Sequence, residues 1–186
     1  MARGLVRSAS AIVTVFLTSL FSQLAESQNV RVPLPPANMR RLAPGFNLSE
    51  SSGKHMTLAG YRGKVLLLNF WATDCGGCRL EIPWIVDLDK TFKTENVLVA
   101  GISMDVSYEG LKNAKEGWDR VIPFVRAHHI PYTVLMGDKD VETNYDIRAL
   151  PATFLIDQKG RIAASYIGLI DEKNVDANIR ELLRER

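Results

Sequence analysis

The chain has 186 residues, 46% of them apolar and 24% charged, with a formal net charge of +2. This is globular composition with room for one substantial core. The basic residues do not cluster, Arg40-Arg41 being the only adjacent pair, which argues against a nucleic-acid surface.

Arg3 and Arg7 open the chain with positive charge, and an uncharged run from Ala9 to Phe21 follows. Ala25 and Ser27 then offer small residues two apart, so residues 1–27 read as a secretory signal peptide cut after Ser27. The run is short for a spanning helix, and an uncleaved membrane anchor is the alternative. Residues 28–42 form an expected linker, since the stretch 30–45 carries four prolines and little periodicity. Residues 43–186 form the expected domain.

Within that domain, FNLSESSGKHMTL predicts a short hairpin around Ser52-Gly53. The apolar run Lys64 to Ala72 predicts a strand buried on both faces. From Gly76 a helix is expected, with Leu80, Trp84, Leu88 and Phe92 on its apolar face and a bend at Pro83. Asn96 to Met104 predicts a second buried strand. A polar, helix-prone segment runs from Tyr108 to His129 and is interrupted by Gly117 and Pro123; His128-His129 is expected at an exposed helix end. Tyr132 to Met136 predicts a third strand, and Asp138 caps a short helix carrying Val141, Tyr145 and Ile147. ATFLID and RIAASYIG flank Gln158-Lys159-Gly160 as a hairpin. The tail from Asp171 to Leu183 places Val175, Ile179, Leu182 and Leu183 on one helical face. Strands alternating with helices imply a three-layer α/β domain with a mixed sheet.

The chemistry concentrates in NFWATDCGGCRLEIP, which holds both cysteines, Cys75 and Cys78. As a staple the pair closes so small a loop that it constrains little of the unfolded chain. As a metal site it lacks nearby ligands, since His55, His128 and His129 are distant in sequence, and position 79 is Arg where haem attachment needs His. A redox pair fits position, spacing and compartment. Cys75 falls where the strand ends and the helix begins, so first-turn N–H groups stabilise its thiolate. Cys78, one turn deeper, is the expected resolving thiol, and Cys75 the exposed attacker. Export favours at least partial oxidation of the pair.

NFWATDCGGCRLEIP together with LPATFLIDQKGRI resembles the thioredoxin fold, and more narrowly the exported thiol-disulfide oxidoreductases related to ResA and TlpA within the redoxin and alkyl-hydroperoxide-reductase group. The similarity runs from about Ala43 to the C-terminus. It implies an α/β/α sandwich with a mixed central sheet, an N-terminal β-hairpin and a central insertion over 105–147. It assigns attack to Cys75, resolution to Cys78 and proton transfer to Glu81, three residues after Cys78 and on its helix face. Trp71, Asp74, Leu150 and Pro151 are assigned to the substrate site. The resemblance implies a cis bond before Pro151 and a Leu150 backbone offered to a substrate strand. It further implies protein disulfide substrates, among them apocytochrome c cysteines, and a membrane thiol carrier as electron donor, with no cofactor and no metal.

This chain differs from thioredoxins proper at one place and departs from the narrower family's pattern at two. Asn69 stands where thioredoxins carry a buried Asp, so it does not accept a proton. Asp74 replaces a Trp; at about 7 Å its charge opposes ionisation of Cys75 by roughly 0.6 to 2.4 kcal/mol, an effect that Arg79 can offset, and an N-cap is its other role. Gly76-Gly77 lacks the usual proline, and Gly77 loosens the first helical turn. Two rival functions stay open. A thiol peroxidase would use Thr73 and an arginine, Arg148 being the candidate. A copper carrier or a redox-inert adaptor would need His55 or Met104 near the cysteines for copper.

Overall fold

The computed structural model describes residues 32–185. The expected signal peptide, residues 1–27, lies outside the described residues.

The central sheet grows from a strand that no face can leave in water. β3 (Val65–Trp71) is buried at all seven positions. It pairs in parallel with β4 (Val97–Ser103), which pairs in parallel with β5 (Thr133–Met136). On its other side β3 meets β6 (Ala152–Ile156) antiparallel, and β6 meets β7 (Ile162–Ile167) antiparallel. The order is β5-β4-β3-β6-β7, a mixed sheet. β1 (Asn47–Ser49) and β2 (His55–Thr57) form the separate N-terminal hairpin, turning through Gly53 at φ 82°.

Alternate residues of β3 feed two cores. Val65, Leu67 and Trp71 pack with α1 (Gly76–Thr91), α3 (Ala114–Ala127) and α5 (Glu172–Arg184). Leu66, Leu68 and Phe70 pack with α4 (Lys139–Asn144), the hairpin and the turn Leu58–Tyr61. The four-residue helix α2 (Asp105–Tyr108) follows β4 directly. These layers are the expected α/β/α sandwich.

The helices correct the sequence reading at several points. On α1 the buried residues are Cys78, Glu81, Ile82, Ile85, Val86 and Leu88, whereas Leu80 is 62% exposed. A strict four-residue spacing drifts by about 40° per step on a helix of 3.6 residues per turn, so Leu80 and Phe92 do not share a face. Pro83 lies inside α1 where the sequence reading puts it, and the helix runs on to Thr91. Likewise α3 runs unbroken through Gly117 and Pro123. Gly117 is buried there, and its lack of a side chain is required, since a Cβ would meet Met136 Cε at 2.8 Å. His128 and His129 are exposed at the end of α3, as expected.

The proline-rich arm is fastened to the domain from Val32 onward. Val32 and Leu34 pack on the first core, and Leu42 bridges to Arg161. Arg40 is buried, its guanidinium held by Glu185 through two bonds of 2.6 Å and by Asp157 at 3.2 Å. Arg161 bonds the same Asp157 carboxylate at 2.8 Å and the Ala37 carbonyl at 2.7 Å.

Candidate active site

Cys75 is the N-cap residue of α1, in extended conformation, and Cys78 lies in its first turn. Their sulfurs are bonded at 2.12 Å, with Cα atoms 5.2 Å apart. The Cys78 N–H, one of the first-turn donors that has no helical acceptor, donates to Cys75 Sγ at 3.2 Å. A sulfur in that place is stabilised as thiolate by the same N–H groups once the bond opens.

The expected exposed attacker is covered in this disulfide state. Cys75 is 3% exposed and Cys78 1%. Each sulfur shields the other, and Pro151 lies against the first turn: a Cβ on Gly77 would come within 3.1 Å of Pro151 Cδ. Gly77 therefore admits the proline loop to the disulfide, where the sequence suggested only a loosened turn. The Leu150-Pro151 bond is cis. The Pro151 carbonyl accepts from Gly168 N–H at 2.9 Å, while the Leu150 main chain bonds no other described residue. Leu150 is half-buried.

The cap role expected of Asp74 needs correction, and the fold places Trp71 in the core. Trp71 is fully buried, stacked on Phe124 of α3 with ring centroids 5.2 Å apart. Gly101 makes room for it, since a Cβ there would sit 2.7 Å from Trp71 Nε1. Asp74 does not cap α1, because Cys75 occupies that position. The Asp74 carboxylate is exposed and faces Arg79 at 3.3 Å and Arg120 of α3 at 3.9 Å.

Glu81 is completely buried one turn beyond Cys78. Burial pushes its carboxyl up to about 7, against the partial relief of three neutral donors: the Ile170 N–H to Oε2 at 3.1 Å, and to Oε1 the Thr153 hydroxyl at 3.1 Å and Asn69 Nδ2 at 2.8 Å. With no cation bonded to it among the described residues, this acid holds or releases a proton near neutrality. Asn69 thus serves as a donor to the acid in place of being one. Sequence reasoning missed Thr153 and Ile170; a polar residue inside a buried strand two places after Pro151 was the available signal for the former.

The residues of the rival functions are engaged elsewhere. The Thr73 hydroxyl donates to buried Asp105, and Arg148 is 83% exposed and bonds Asp146 at 2.8 Å. Met104 packs in the second core, away from the cysteine core, and His55 faces Asn47 on the exposed hairpin. Among the described residues, no group of three or more His, Cys, Asp or Glu could hold a metal.

The AhpC/TSA family model matches residues 39–165, which spans the arm's Arg40, the cysteine pair and the cis-proline loop. The chain belongs to the AhpC/TSA family. Among curated members of similar sequence, the thiol:disulfide interchange protein DsbE of Pseudomonas fluorescens biotype C is 34% identical over 75% of this chain and 72% of its own. The thiol-disulfide oxidoreductase ResA of Bacillus subtilis (strain 168) is 29% identical over 72% and 69%. Among solved structures, a thiol:disulfide interchange protein of Chlorobium tepidum TLS superposes with a TM-score of 0.66 at 25% identity, covering 77% of this chain and 97% of that one. With its disulfide at the helix mouth, this AhpC/TSA member is a thiol-disulfide oxidoreductase of thioredoxin-like fold.

Proposed function

We propose that the protein works outside the cytoplasm as a reductant of protein disulfides, with Cys75 attacking, Cys78 resolving and Glu81 moving the proton. The observation that carries this reading is the Cys75–Cys78 bond at the N-terminus of α1, with the Cys78 N–H directed at Cys75 Sγ.

In the forward reaction the Cys75 thiolate attacks one sulfur of a substrate disulfide. A mixed disulfide forms, and the first substrate sulfur leaves as a thiolate and takes a proton from solvent. Cys78 then loses its proton to the Glu81 carboxylate and attacks Cys75 Sγ, expelling the second substrate thiolate. The substrate gains two electrons and the pair closes. Glu81 is suited to the step because its carboxyl titrates at about 7, near the working pH of a general base. The open Leu150 backbone beside the pair suits an extended substrate segment. Its substrates are proteins. We include apocytochrome c cysteines among them, with a membrane thiol carrier returning the protein to its dithiol form. Residues 1–27 serve export as a signal peptide or an anchor.

Cys78→Ser tests the scheme. The variant should accumulate a covalent complex with a disulfide-bearing protein through Cys75, visible on a non-reducing gel and released by dithiothreitol. Absence of the complex under mild oxidation, in a folded variant, counts against it.

A further inference from the structure

Cys75 reaches the helix mouth along a short bridge from β3, Ala72 to Asp74, and the central insertion grips that bridge from the side. Asp105, the first residue of the insertion, is fully buried and pairs with no Lys, Arg or His among the described residues. Its carboxylate is filled by neutral donors. The Thr73 N–H donates to both oxygens at 3.1 and 3.3 Å, the Thr73 hydroxyl to Oδ1, and the Ser103 hydroxyl to Oδ2 at 2.7 Å. The remaining polar group of Thr73, its carbonyl, accepts from Arg79 Nε at 2.7 Å. Arg79 is itself held over the Phe124 ring of α3 at 5.7 Å. Every polar atom of Thr73 is therefore committed, two residues before the reactive sulfur.

A buried carboxylate without a cation is costly unless donors replace its water. Here three of the four contacts come from one threonine, which concentrates the restraint on the bridge. We propose that Asp105 is a positioning residue: acting through Thr73, it holds the bridge in the course that delivers Cys75 as N-cap, in line with the first-turn N–H groups. This rests on Cys75 being the attacking sulfur. The proposal opposes simple Coulomb reasoning, in which loss of a negative charge near Cys75 would favour its thiolate.

The test is the rate of iodoacetamide alkylation of the reduced full chain, with the site located by mass spectrometry and the fold checked by circular dichroism. Thr73→Val removes only the hydroxyl, Asp105→Asn removes the charge and one acceptor, and Thr73→Ser restores the donor. Thr73→Val and Asp105→Asn should alkylate Cys75 about tenfold more slowly, equivalent to about 1.4 kcal/mol, with the pH profile displaced upward. Thr73→Ser should stay within about twofold of the parent, the scale of a silent change. A folded Thr73→Val at the parental rate, or a faster Asp105→Asn, overturns the positioning role while leaving Cys75 as attacker. If Asp105→Asn does not fold, Thr73→Val decides alone. First alkylation at Cys78 in the parent removes both the attacker assignment and this proposal.

Discussion

Two buried acids mark the two ends of β6, and they titrate in opposite directions. Near its start, Glu81 meets Asn69, Thr153 and the Ile170 N–H, all neutral, and its carboxyl rises to about 7. Just past its end, Asp157 suffers burial too, but the Arg161 N–H, the Arg161 guanidinium and Arg40 overcome it and hold the carboxyl below the usual range. Burial alone does not decide what an acid does. The donors around it, backbone N–H groups and cations together, decide as well. The disulfide end is equipped to exchange protons, and the far end to keep its charges fixed.

The largest expected effect comes from breaking the fixed end. Arg40→Met should lower stability by about 3 kcal/mol, because it leaves Asp157 and Glu185 short of a cation. Urea unfolding measures it. Mixed-disulfide formation at Cys75 in the same variant should be unchanged, since the sites are remote and independent. A marked loss of both would dissolve the contrast between the two ends.

Glu81→Gln sharpens the other side. Folding raises this carboxyl from 4.5 to about 7, so the native protein holds one more proton than the unfolded chain between those values. The corresponding stability is present below pH 4.5 and is lost as pH rises through 7, by up to about 3 kcal/mol. The oxidised parent should therefore weaken over that window in urea titrations, and the Gln variant should lack this slope. If Glu81 accepts the Cys78 proton as proposed, closure of the Cys75–Cys78 bond at pH 7 should also slow by at least about tenfold.

The smallest effect belongs to Asp74→Ala. Its ion pairs with Arg79 and Arg120 join half-exposed or exposed groups, so stability should move by less than about 1 kcal/mol. Alkylation of Cys75 should rise modestly, and the gain should fade as salt is added.

The cysteine pair was legible because it sits in a short local pattern with a physical reading, whereas the cis bond at Pro151 and the role given to Glu81 came from the family resemblance. The strands were legible too, since their apolar runs stand out between more polar segments. What surrounds them was not. Glu81 is satisfied by residues 12, 72 and 89 positions away, and no local pattern encodes such meetings. Asp105 reads as an ordinary loop acid until β3 and β4 lie side by side and bring it to Thr73. The buried face of α1 was misread because Leu80 is apolar and well spaced yet points outward. Trp71 reads as part of a strand buried on both faces, but its stacking partner on α3, Phe124, lies 53 residues away and no local pattern announces it.

The lock around Arg40 also governs where this molecule can be shortened. A truncated version starting at Ala43, where the motif similarity begins, would strip one cation from Asp157 and uncover the apolar surface under Val32 and Leu34. Recombinant boundaries placed ahead of Val32 retain the whole fastening.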